Sequence, residues 1–149
     1  MNIINEMTLT FKALSENEGF ARSAVAAFCV QINPTLDEIT DIKTAISEAV
    51  TNSVVHAYPK GVGEVVVNVK LTPNSAIISI SDNGIGIDDF EKARQPFYTT
   101  KPDQERSGMG FTVMESFMDK VFLIKNKNRG VTILMEKKFG GSNKQAIGE

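Results

Sequence analysis

The chain has 149 residues, 42% hydrophobic and 23% charged, which suits one globular domain with a single core. Its net charge of −2 argues against a nucleic-acid binder, which carries a basic surplus or stripe. A single cysteine, Cys29, excludes an intrachain disulfide and, with one histidine, a Cys/His zinc site, so a reducing, cytoplasmic setting is expected.

Neither a signal peptide nor a membrane span is expected, because Met1–Glu6 is mixed and no apolar run approaches spanning length. Residues 1–139 read as one domain and residues 140–149 as a loose polar tail.

Met7–Lys12 alternates and reads as an edge strand. Ser15 with Glu18 matches a capping box, so a helix starts here and runs through Phe20, Ala24, Ala27, Phe28 and Ile32 until Asn33-Pro34 ends it. Cys29 lies in its apolar run and reads as a packing residue. Arg22, near the start, reads on composition alone as a surface charge.

Thr35 caps a second helix, with Asp37 and Glu38 in the first turn, where acids suit the dipole. Ile39, Ile42, Ile46, Ala49, Val50, Ser53, Val54 and Ala57 form its apolar stripe. Glu48 and Asn52 are one turn apart on another face. Most exposed Glu/Asn pairs are simply solvated. A carboxylate and an amide at this spacing also suit a general base and a metal ligand. Their neighbours Thr44, Ala45 and Val55 are uncharged, which is unusual for a plain surface. His56 ends the helix, and a dipole contact accounts for it.

Tyr58–Gly63 breaks the helix, Glu64–Leu71 alternates as a strand, Thr72–Ser75 turns, and Ala76–Ile80 returns. The return strand delivers Asp82 into a loop carrying Gly84 and Gly86. An acid at a strand end followed by Gly-x-Gly suggests a small planar ligand held against the main chain, its amine donating to the acid. Asp-Asn-Gly is also a common hairpin turn. Asp88–Arg94, however, reads as a helix start and not as a returning strand.

Pro96–Ser107 is polar, aperiodic and interrupted by prolines, as lids and binding loops are. Gly108-Met109-Gly110 then opens a helix over Phe111–Met118, a phosphate site in principle but a weak signal alone. Lys120–Lys125 and Val131–Glu136 are the last strands, joined by a turn over residues 126–130.

The order of these signals resembles the GHKL ATPase superfamily of gyrase B, histidine kinases, a chaperone family and mismatch-repair ATPases. Within it the chain looks closest to the sporulation anti-sigma factors. The matching stretches are Ser47–Asn52, Ala93–Pro96, Tyr98–Pro102 and Glu105–Phe111, and the resemblance covers nearly the whole chain. It implies an α/β (α+β) two-layer sandwich with the Bergerat-type ATP-binding fold: a mixed, mostly antiparallel sheet with helices on one face.

The resemblance also implies an anti-sigma factor that is an ATP- and Mg²⁺-dependent serine kinase. Such a protein binds a sporulation sigma factor and phosphorylates an anti-anti-sigma partner. Asp82 would take the adenine amine, with Gly84 and Gly86 seating the base. Asn52 would ligate Mg²⁺, Glu48 would be the general base, and Arg106 would meet the γ-phosphate. Thr99, Thr100, Lys101, Ser107, Gly108, Met109 and Gly110 would line the nucleotide, and Arg22 would lie in the partner surface. A homodimer is expected, pairing through the first strand.

Superfamily members often carry Gly-Thr on a late strand with the Thr near adenine. Here the order is Gly130-Val131-Thr132, so alternation turns Thr132 away. Two alternatives stand beside this reading: an isolated histidine-kinase catalytic domain, and a nucleotide-binding regulator that sequesters a partner without catalysis. The first lacks a phosphoacceptor-His helix. The second has no need for Glu48.

Overall fold

The computed structural model describes residues 2–57, 63–84, 110–127 and 129–140. The elements in chain order are β1 (Asn5–Lys12), α1 (Asn17–Cys29), α2 (Leu36–Asn52), β2 (Glu64–Thr72), β3 (Ser75–Asp82), α3 (Gly110–Phe117), β4 (Lys120–Lys125) and β5 (Val131–Lys138). The strands form one sheet in the order β1-β2-β3-β5-β4. All four pairings are antiparallel, so the expected mixed component is absent among the described strands. β1 is an edge strand, as its position and alternation suggested.

Alternation decides which face of the sheet is covered. Val65, Val67, Val69 and Leu71 of β2 and Ala76, Ile78 and Ile80 of β3 are buried, while the residues between them are not. They meet Ala21, Val25 and Cys29 of α1 and Ile42, Ile46, Ala49 and Val50 of α2 in one cluster. On β4, Phe122 and Ile124 remain exposed at 51% and 43%. This leaves a helix layer on one side of the sheet and a partly apolar open face on the other.

The two helices start differently from one another. At α2 the capping box is complete: Thr35 Oγ1 accepts from the Glu38 N–H at 3.1 Å, and Glu38 accepts from the Thr35 N–H at 2.7 Å. At α1 the expected Ser15/Glu18 box does not form, and no side chain caps the helix. The Glu18 carboxylate turns instead to Ser47 on α2, whose hydroxyl donates at 2.7 Å. A tertiary partner has outcompeted the local cap. After α1 a 3-10 turn over Val30–Ile32 ends at Asn33, in the left-handed region at φ 54, just before Pro34.

The α-helical pattern of α2 stops at Asn52 and continues as a π-helical turn over Ser53–Ala57. Such turns are rare and concentrate at functional sites. At the other end of the chain, Phe139 is buried and Gly140 donates to Glu38 at 3.0 Å, so the sheet stays tied to α2 through residue 140.

Candidate functional site

β3 ends at Asp82, one residue pair beyond the last Cα pairing with β5. Both edges of β3 are taken, by β2 and by β5. Asp82 is only 8% exposed. Its Oδ1 accepts from the Gly84 N–H at 2.9 Å and from the Val131 N–H at 3.3 Å. Among the described residues its Oδ2 has a single long contact, the Ser53 hydroxyl at 3.4 Å. No cation neutralises it among the described residues. Burial raises its carboxyl above the usual range, and the hydrogen bonds from Gly84, Val131 and Ser53 pull the other way. The arrangement leaves one carboxylate oxygen with acceptor capacity to spare.

The β4–β5 turn clamps this strand end from the far side. Asn126 Nδ2 donates to the Asp82 carbonyl at 2.8 Å, and Arg129 Nε donates to the Gly84 carbonyl at 2.8 Å. Thr132 Oγ1 donates to Asn126 at 2.6 Å and also bonds Ser81 at 2.8 Å. Thr132 therefore sits on the opposite face from the Asp82 carboxylate, as strand alternation predicted. Gly130 has φ +93, and a Cβ there would collide with the Asp82 carbonyl. Only glycine fits that approach.

Glu48 and Asn52 are both half-buried on α2, and Ser53, the next residue, reaches Asp82. The helix thus brings the Glu48/Asn52 face and the Asp82 carboxylate to the same end of the sheet. Ala45, expected beside that pair on the surface, is fully buried and belongs to the core face. Gly110 is buried at the first turn of α3. Gly86, Thr99, Thr100, Lys101, Arg106, Ser107, Gly108 and Met109 lie outside the described residues, as do the expected helix over 88–94 and the lid.

Arg22 is not a free surface charge. Its Nη1 lies 3.1 Å from Glu18 and donates to Ser47 Oγ at 3.2 Å, with the side chain 41% exposed. Ser47 is itself buried and precedes Glu48 in sequence. Among the described residues no group of three or more His, Cys, Asp or Glu side chains is arranged around a metal ion. No helix among the described residues is long and apolar enough to cross a membrane.

Sequence reading missed Ser53, which looked like part of the apolar stripe, and Asn126 and Arg129, which looked like ordinary turn residues. The signal for the turn was Gly130 directly before a strand; its tertiary target was not legible.

Comparison with known proteins adds an independent line. The profile of the histidine kinase-like ATPase domain family matches residues 11–137. An anti-sigma F factor of Clostridium perfringens (strain 13 / Type A) is 53% identical over 135 residues, covering 90% of this chain and 96% of that protein. An anti-sigma F factor of Bacillus licheniformis is 52% identical over 134 residues, covering 89% and 92%. The fold resembles the RsbU and RsbW domains of Rv1364c from Mycobacterium tuberculosis, with TM-score 0.65 and 19% identity over 91% of this chain and 32% of that one. It also resembles the catalytic domain of histidine kinase ThkA, with TM-score 0.55 and 16% identity over 89% and 97%.

Proposed function

Since the chain belongs to the anti-sigma F factor family and, with it, to the histidine kinase-like ATPase domains, we propose that it is a cytoplasmic anti-sigma factor and ATP-dependent serine kinase. It holds a sporulation sigma factor inactive and phosphorylates an anti-anti-sigma protein. The observation that supports the nucleotide reading is the buried Asp82 carboxylate, fixed at Oδ1 by two backbone donors, while Oδ2 takes a long contact from Ser53; in this reading Oδ2 accepts the adenine amine.

In the reaction, Glu48 accepts the proton of the acceptor serine hydroxyl. The serine oxygen bonds to the γ-phosphorus, and the β–γ bridging P–O bond breaks to leave ADP. Asn52 would hold Mg²⁺ through its amide oxygen, and the ion would supply charge neutralisation at the phosphates. Arg106, Thr99, Thr100, Lys101 and the Ser107–Gly110 segment are assigned to the phosphates. Glu48 favours catalysis over mere sequestration, because nucleotide binding alone does not require a base.

The protein acts as a homodimer. The edge position of β1 and the open sheet face bearing Phe122 and Ile124 support this. One experiment tests the whole reading: the purified chain is mixed with Mg-ATP, the sigma factor and the anti-anti-sigma protein of its own organism. Phosphoserine on the anti-anti-sigma protein, with sigma captured when that protein is withheld, is the expected result. Absence of phosphoserine with sigma still captured would leave a sequestering regulator.

A further inference from the structure

An open cleft of about 320 Å³ lies between α1 and α2, lined by Arg22, Thr40, Lys43, Thr44 and Ser47. The four α2 residues follow i, i+3, i+4, i+7 spacing, so they form one continuous face. The hydroxyl protons of the three that carry one, Thr40, Thr44 and Ser47, are already used. Thr40 donates to the Leu36 carbonyl at 3.0 Å, Thr44 to the Thr40 carbonyl at 3.0 Å, and Ser47 to Glu18 at 2.7 Å. The donors left for a ligand are therefore the two cations.

Those cations are not equivalent. Arg22 is held by Glu18 and Ser47 through Nη1, and its fork has further N–H groups to offer. Lys43 is half-buried and has no ion pair or hydrogen bond among the described residues. Arg22 and Lys43 are the two cations that line the cleft, with Glu18 paired to Arg22. Two cations with N–H groups to offer suit a carboxylate, which is the anion that an acceptor protein carries before it is phosphorylated. The cleft also has a fixed place relative to the chemistry: Thr44 is one helical turn, about 6 Å, before Glu48.

The geometry points to Lys43 as the second half of a carboxylate socket that docks the phosphoryl-acceptor protein. This rests on the kinase reading above and deepens it. An acidic side chain of the acceptor lies between the Lys43 ammonium and the free edge of the Arg22 guanidinium, and so sets its serine one turn further along α2. Thr40 and Thr44 line the cleft without donating, so charge and not a hydroxyl pattern selects the ligand.

The test measures binding of the anti-anti-sigma protein to the full chain with ADP present, for wild type, Lys43→Met and Lys43→Arg. Lys43→Met is expected to weaken binding about tenfold and to flatten its salt dependence, with melting temperature and ATP affinity unchanged. Lys43→Arg should recover most of the loss. On the acceptor, one Asp→Asn or Glu→Gln change should weaken binding equally and add nothing in the Lys43→Met background. Wild-type affinity in Lys43→Met, or a loss that Lys43→Arg does not relieve, overturns the socket. A wild type that binds the acceptor but transfers no phosphate overturns the kinase reading alone, because the affinity comparison still stands.

Discussion

The main-chain N–H of Val131 donates to Oδ1 of Asp82 at 3.3 Å, joining residues 49 apart in the chain. The bond exists because β5 lies beside β3 with Ser81 opposite Thr132, which places the start of β5 against the end of β3. The backbone donors favour the charged carboxylate and so oppose the burial that raises its pKa.

Asp82→Asn should weaken ATP binding by one to two decades, since a hydrogen bond to a charged group contributes roughly 1.5–3 kcal/mol. Preference for ATP over GTP, which carries a carbonyl at that position, should fall. The pH dependence has a definite sign. Burial raises the Asp82 pKa, so the folded chain binds this proton more tightly than the unfolded one. Its contribution to stability is therefore present below the unfolded pKa and lost as pH rises through the raised folded value. ATP affinity should move the opposite way and decline on acidification as Asp82 protonates, and Asp82→Asn should remove that component. Titration calorimetry across acidic pH checks both.

Glu48→Gln should leave ATP binding near normal and reduce phosphoryl transfer roughly 10²–10⁴-fold, the range for loss of a general base. Asn52→Ala should instead weaken Mg-ATP binding. Single-turnover phosphorylation beside nucleotide titration separates the two. A normal transfer rate in Glu48→Gln would return that residue to an ordinary helix face.

Arg22→Ala should lose about 30-fold or more in sigma binding, the size expected of an arginine hot spot, with ATP binding and dimerisation intact. Glu18 and Ser47 hold the guanidinium in place, so Glu18→Gln should give a smaller loss of the same sign. Sedimentation of each variant reports the dimer independently.

Gly130→Ala should be the most damaging small change in the β4–β5 turn. It places a side chain at φ +93, costing roughly 1–3 kcal/mol, and drives it into the Asp82 carbonyl. Lower melting temperature with weaker ATP binding is expected. Asn126→Ala should weaken ATP binding with less effect on melting, because it frees the Asp82 carbonyl without a clash.

Cys29 is fully buried, and burial pushes its thiol up to about 12. It should resist alkylation at pH 8 in the folded chain and react only after denaturant is added. Mass spectrometry before and after denaturation reads the difference.

The local code determined much of this molecule. Alternation in Glu64–Leu71 and Ala76–Ile80 named the buried face of two central strands, because period-two side chains can cover only one side at a time. Thr35 with Glu38 named a helix start, and Gly130-Val131-Thr132 correctly turned Thr132 away from the acid, since both follow from backbone geometry within a few residues. Tertiary structure decided the rest. Ser15 and Glu18 have the spacing of a cap, yet Glu18 found Ser47 across the α1–α2 interface, a partner 29 residues away. Ser53 has the pattern of a core residue, yet faces Asp82. Asn126 and Arg129 look like any turn, yet they secure the carbonyls of Asp82 and Gly84. In each case a hydrogen-bonding group is satisfied across the fold, and sequence spacing carries no information about a partner that only strand order and helix packing bring near.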